Sequence, residues 1–178
     1  MTFVPCYGAP FVNDMDKGRR KGTLKDFNNF AKLAYESPNM DITGGNMTEP
    51  NDIRVDNRNA ERIYSSMVLS DKPFMGAGTG AKEARQTIEM ASIVFGSTKE
   101  MAKKPPFISI LCSLTPLGYD DNMCGGIMEY AKAGMPQLIS SLAIAGATSP
   151  VTMEGTLVVQ NAEILAGITL SQLVREGT

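Results

Sequence analysis

Between Met153 and Arg175 the chain reads MEGTLVVQNAEILAGITLSQLVR, a stretch that is apolar or small apart from Glu154, Gln160, Asn161, Glu163, Gln172 and Arg175. Unpaired polar groups are costly in such surroundings. These side chains therefore either satisfy one another and nearby backbone or belong to a contact set around a site, and Glu154, near the helix start, is the first candidate for a catalytic carboxylate. A second chemical candidate is Gly76-Ala77-Gly78-Thr79-Gly80. Glycines at that density can cradle a phosphate, but the spacing matches neither a Walker A loop nor a dinucleotide fingerprint. An ordinary strand-to-helix loop is the better account.

Histidine is absent. That removes Ser-His and Cys-His pairs, imidazole zinc sites and a histidine ligand for haem or a corrinoid from this stretch of chain. Cys6, Cys112 and Cys124 are odd in number and widely spaced, so they read as buried thiols of a reducing cytoplasm rather than a metal or redox pair. No metal site is expected.

The chain has 178 residues, 43% of them hydrophobic, a net charge of −2 and a pI near 5.2. This is enough to build a core, and it argues against a nucleic-acid binder, whose domain is usually basic. Charge is uneven: 15 Lys/Arg face 13 Asp/Glu before Pro105, whereas from there on Lys132 and Arg175 face six acids. Thr2 to Pro10 lacks the basic start and cleavage pattern of a signal peptide.

The elements that must position these residues alternate. Strand-like runs cover Thr2 to Tyr7, weakened by Pro5, then Met40 to Thr43, Lys72 to Ala77, Phe107 to Cys112 and Gln137 to Ala143. Thr23 and Asp26 resemble a capping box for a helix with Phe27, Phe30, Ala31 and Ala34 at helical spacing, which Ser37-Pro38 stops. A second helix starts near Asp56, with an apolar face at Ala60, Ile63, Tyr64, Met67 and Val68. Ala84, Ile88, Ala91 and Phe95 give a third, closed by Gly96. Ser97 and Glu100 cap an extra turn. Asp121 caps a further helix through Cys124, Ile127, Met128 and Ala131, ended by Gly134. Ser149-Pro150 reads as the start of the last helix, which runs to about Arg175 and is expected to be buried on several sides. It is too polar, and too interrupted by Gly155 and Gly167, to read as a membrane span.

Strand-helix alternation implies a parallel α/β sheet covered by helices. The pattern leaves both a doubly wound sheet and a (β/α)8 barrel open, and it supplies about five of the eight units a barrel needs.

The run AGATSPVTMEGTLVVQNAEILAGITLSQLVREGT resembles the trimethylamine:corrinoid methyltransferase family. DKGRRKGTLKDF, SDKPFMG and ISILCSLTPLGYDD resemble the same family in the same order, so the likeness covers essentially the whole chain. It implies that residues 1–178 are one segment of a (β/α)8 TIM barrel, incomplete at one or both ends. It further implies transfer of a methyl group from trimethylamine to the cobalt of a corrinoid held by a partner protein, with none bound by this chain, in the cytoplasm, and a homo-oligomer when complete. Neither nucleic acid nor membrane is an expected partner. Some members of the family carry a pyrrolysine, whose place would lie beyond Thr178; others act on quaternary amines such as glycine betaine, which is the alternative substrate. A truncated, non-catalytic fragment with open strand edges is the second alternative.

In a barrel, reactive positions lie on the loops that leave the strand ends. The resemblance thus points to Gly44, Gly45 and Asn46, to Ser113 and Thr115, and to Gly146, Ala147 and Thr148 as substrate- or corrinoid-facing residues. Glycines would admit a large flat ring and the polar residues would bond its amide rim; ordinary turn chemistry is the competing account. Phe3, Tyr7 and Phe11 could form a cage for a methylated ammonium, although core packing accounts for them more simply.

Overall fold

A computed structural model describes residues 1–178. The chain divides into two compact units, Met1–Ala77 and Gly78–Thr178, each described by itself.

In the first unit an antiparallel hairpin, β1 (Phe11–Asp14) and β2 (Gly18–Lys21), precedes α1 (Leu24–Glu36). The capping box is formed: the Thr23 hydroxyl accepts from the Asp26 N–H, and Asp26 accepts from the Thr23 N–H. Arg20 then ties the hairpin to this cap through Asp26 (2.6 Å) and Asp14 (3.2 Å). Phe27 and Ala31 of α1 are buried with Met47, and Phe30 and Leu69 pack against them. Each such large side chain removed from water contributes roughly 1.5–3 kcal/mol.

The expected strands near residues 3 and 41 are extended segments rather than ladders. Asp41 N donates to Phe3 O (3.0 Å) and Gly8 N to Asn46 O (2.7 Å); Thr43 N donates to Pro73 O (2.9 Å) and Met75 N to Gly44 O (3.1 Å). Partners advance together along the chain, so segments 3–8, 41–46 and 73–75 run parallel, side by side and in sequence order. Pro5 lacks a donor, and Gly44 leaves the extended region at φ 78°. Both interrupt the ladder, and only β3 (Phe74–Met75) is a strand.

Helix α2 (Val55–Leu69) packs on α1. Its face is rotated from the one expected. Asn59, Ile63, Ser65 and Ser66 are buried, whereas Tyr64 and Val68 are exposed. The side facing the rest of the unit takes small and polar residues, and Ser66 Oγ satisfies itself by donating to Arg62 O (2.9 Å).

In the second unit α3 (Ala81–Phe95), α4 (Thr98–Lys103) and β4 (Phe107–Cys112) follow expectation. Helix α5 (Asp121–Ala133) is capped by Asp120, whose carboxylate accepts from Met123 N (2.7 Å); Asp121 is the first helical residue rather than the cap. Gly134 closes α5 in the left-handed conformation, where glycine has no steric penalty. Strand β5 (Gln137–Ser140) pairs in parallel with β4 in the register Ser109↔Gln137 to Cys112↔Ser140. Helices α3 and α5 pack together over a core that includes Ala84, Phe107, Leu111 and Tyr130, with the Phe107 and Tyr130 rings edge to face at 5.9 Å.

Helix α6 spans Met153–Val174 and packs on α5 and β5. Its cap is Thr152, not Ser149; the Ser149 hydroxyl is instead within hydrogen-bond distance of Thr156 Oγ1 (3.0 Å). The expected all-round burial is overturned. The buried residues are Glu163, Gly167 and Ser171, one residue per turn, while Met153, Leu157, Val158, Leu165, Ile168 and Leu173 are exposed. By length and composition alone α6 could cross a membrane, but one such helix is weak evidence for a span. Its inward stripe is polar and small because Glu163 meets hydrogen-bonding groups of the strand-end loops, Gly167 meets Tyr119 and Ile139, and Ser171 accepts from Gln137 at the start of β5.

Candidate functional site

Strands β4 and β5 end side by side, and the loop after each folds back on itself. Leu114 and Gly118 pair across Thr115-Pro116-Leu117, while Ala145 and Ser149 pair across Gly146-Ala147-Thr148. Glu163 reaches both loops from α6. Its Oε2 accepts from Ser113 Oγ, from Thr115 Oγ1 (2.8 Å) and from Ser141 Oγ (2.6 Å); its Oε1 accepts from Leu117 N (2.7 Å). The side chain is 2% exposed.

Burial opposes the charge, but bonds from Ser113, Ser141, Leu117 and Thr115 outweigh it and hold the Glu163 carboxyl at a pKa of about 2. One oxygen carries three hydroxyl donors and the other a backbone N–H, so little acceptor capacity is left. Glu163 is therefore a clamp that fixes loop geometry, and at neutral pH it has no proton to give. Around it, Tyr119 donates to the Glu163 main-chain carbonyl (2.8 Å). Burial, then the Glu163 charge, pushes the Tyr119 hydroxyl above its ordinary pKa. Gly167 makes this approach possible, since a Cβ there would lie 2.5 Å from Tyr119 Oη and 2.7 Å from Ile139 Cγ2. Leu117 has φ 55° although it is not glycine, and it is 68% exposed beside Leu114. Leu142 and Ile144 on the neighbouring loop are likewise exposed.

The structure thus brings Ser113 and Thr115 together on Glu163. Gly146 sits at φ 77° in the second loop, Ala147 is exposed beside it, and Thr148 is spent inside that loop, accepting from Ile144 N (3.0 Å) and donating to Leu142 O (3.3 Å). Glu154 is exposed at the first turn of α6, outside the cluster. Ser141, Leu117 and Tyr119 were missed by sequence reasoning. Their signal was the lone mid-helix acid, Glu163, whose burial demands donors.

In the first unit Gly44, Gly45 and Asn46 leave the end of an extended segment. A Cβ on Gly44 would lie 2.6 Å from Pro5, and one on Gly45 would lie 2.8 Å from Met75 Cβ, so here the absent side chains admit neighbouring protein. Asn46 Nδ2 donates to Glu49 (2.7 Å), and Glu49 also pairs with Arg58 (3.2 Å) and Arg62 (3.1 Å). Tyr7, Gly45, Asn46, Arg62, Ser66 and Met75 are among the residues lining a small pocket there. Glu49, Arg58 and Arg62 were not foreseen, because their ion pairs join a loop to a helix. Phe3, Tyr7 and Phe11 are not core residues: they are 52%, 43% and 43% exposed, and Arg19 lies over the Phe11 ring at 4.3 Å.

The thiols also differ from expectation. Cys6 is exposed, and Cys112 and Cys124 are only partly buried. Burial raises the pKa of Cys112, and burial followed by the charges of Asp121 and Asp120 raises that of Cys124, so neither is an activated thiolate.

The chain is 48% identical, over all 178 residues, to the glycine betaine methyltransferase of Desulfitobacterium hafniense (strain Y51), covering 37% of that protein. It is 31% identical over 173 residues, 96% of the chain, to the trimethylamine methyltransferase MttB of D. hafniense (strain DSM 10664 / DCB-2), covering 34% of it. Over 83 residues, 47% of the chain, it is 48% identical to MttB1 of Methanosarcina acetivorans, 17% of whose length is matched. The chain thus spans little more than a third of the curated relatives that match it most fully. The family model for trimethylamine methyltransferase (MTTB) matches residues 1–178, and the chain belongs to that family.

Proposed function

We propose that this chain is a segment of a (β/α)8 methyltransferase that takes a methyl group from a quaternary amine, glycine betaine, and passes it to the cobalt of a corrinoid protein. The observation that carries the reading is the Glu163 clamp, in a chain of this family: it fixes two neighbouring loops at the C-terminal ends of parallel strands, where barrel enzymes keep their reactive groups. Within each unit the parallel segments neighbour one another in sequence order, as in a barrel.

When the C–N bond breaks, its electron pair stays on nitrogen. A quaternary amine then leaves as a neutral tertiary amine and needs no proton. Trimethylamine is basic enough to be trimethylammonium in neutral water and would leave as neutral dimethylamine, so the charge of Glu163 does not separate the two substrates. Exposed Leu114, Leu117, Leu142 and Ile144 would give the loops an apolar surface suited to a flat macrocycle and to excluding water. Identity of 48% over the whole of this chain to a betaine enzyme, against 31% over a comparable span to a trimethylamine enzyme, supports glycine betaine. Trimethylamine remains the second reading, favoured by the 48% identity to MttB1 over 83 residues.

The test is to supply the full-length protein with chemically reduced cobalamin and either glycine betaine or trimethylamine, and to follow methylcobalamin by absorbance. Turnover with betaine alone is the expected result. Turnover with trimethylamine alone would establish the second reading, and methylation from neither would sink both.

A further inference from the structure

We propose that the outer face of the β1–β2 hairpin is a docking surface for an acidic segment of a partner protein. The strand register places Phe11 opposite Lys21 and Asn13 opposite Arg19, and these four residues share the exposed face; Val12, Asp14 and Arg20 share the other, half-buried one. The two faces handle charge differently. On the inner face Arg20 is neutralised by Asp14 and Asp26, which makes it a structural tie. Among the four outer-face residues there is no acid: Arg19 lies over the Phe11 ring at 4.3 Å and Lys21 is paired to the same residue across the strands. At the turn, exposed Lys17 adds a positive charge next to exposed Asp16.

A two-stranded hairpin is marginal alone, yet this one is anchored at its base. Glu49 N donates to Ala9 O (3.0 Å), Asn51 N to Gly22 O (3.0 Å) and Asn51 Nδ2 to Glu49 O (2.9 Å). A Cβ on Gly22 would overlap Thr48 Oγ1, so the base closes onto the 46–51 loop only because that residue is glycine. The hairpin is therefore held against the loop that leaves the C-terminal end of segment 41–46. Aromatic residues and arginine are enriched at protein interfaces, and here Arg19 lies over the exposed Phe11 ring. A protein fits better than nucleic acid. The patch spans only two four-residue strands, so it can match a short acidic stretch but gives a long polyanion little to hold. The inference stands on charge and placement, so the methyl-transfer assay can fail without affecting it.

Fluorescence anisotropy of a labelled oligoglutamate peptide mixed with the full chain tests it. Arg19→Glu with Lys21→Glu should weaken binding about tenfold or more at low salt. Arg19→Gln with Lys21→Gln should weaken it less, and Phe11→Ala should weaken it without changing the salt dependence. Lys99→Glu with Lys104→Glu, an equal change of charge on the exposed α4 region, should have little effect. Equal loss in both Glu pairs would show general charge attraction and overturn the proposal, as would tighter binding of a single-stranded oligonucleotide of the same charge.

Discussion

The Leu117 N–H donates to Glu163 Oε1 at 2.7 Å, and Leu117 is the one non-glycine residue with positive φ, at 55°. A carboxylate on a helix thus holds an exposed apolar residue in a backbone conformation it would otherwise avoid. Strain of this kind, when found, points towards a functional position. It sits at the rim of the candidate site.

If Glu163 is the clamp, Glu163→Gln should destabilise the chain although it preserves shape. An amide would turn an NH2 group towards donors, and the Leu117 N–H cannot rotate away. The expected cost is about 1–3 kcal/mol, read from urea unfolding near neutral pH. A cost under about 0.5 kcal/mol, the range of ordinary surface changes, would show that water satisfies these groups instead.

The same carboxyl gives a pH signature. Its folded pKa of about 2 lies below the ordinary 4.5, so its stabilisation is complete above pH 4.5 and is lost as pH falls through about 2. Thermal unfolding of the parent and of Glu163→Gln should therefore converge on acidification across that window. A gap that stays constant down to pH 2 would contradict the assignment.

Gly167→Ala should place a methyl group against Tyr119 and Ile139. The expected cost is about 1–3 kcal/mol, and Tyr119→Phe should recover part of it by removing the nearest atom. Additive effects of the two changes would mean that Gly167 does not meet Tyr119 as the structure shows.

Leu117→Gly should relieve the positive φ at an exposed position. Leu in this region costs roughly 1–2 kcal/mol, while glycine loses more chain entropy on folding. Stability should change by less than about 1 kcal/mol, whereas methyl transfer by the full-length protein should fall if the Leu117 side chain serves the rim. Clear destabilisation together with full activity would reverse both conclusions.

The elements whose signals are local were legible in the sequence. The Thr23–Asp26 capping box, the Ser97 cap, β4 and the Gly134 stop all stand where short-range chemistry puts them. The likeness to the family was legible too, because it rests on residue order. Helix faces were not: α2 buries Asn59 and Ser66 in place of Tyr64 and Val68, and α6 buries Glu163, Gly167 and Ser171 beneath an exposed apolar surface. Apolar spacing marks the inward face only where the helix packs on side chains, and these two turn polar and small residues inward.

By itself, then, the sequence determined the helices, the Thr23 and Ser97 caps, strands β4 and β5 and the candidate loops that contain Ser113, Thr115 and Gly146. The β1–β2 hairpin forms where residues 13–22 read as a polar connection. Only the tertiary structure decided that Glu163 is the buried carboxylate joining the two loops, with Glu154 exposed outside that cluster. The donors to Glu163 come from residues 22 to 50 positions away along the chain, and a buried charge is settled by the partners that folding brings to it, which no local spacing records.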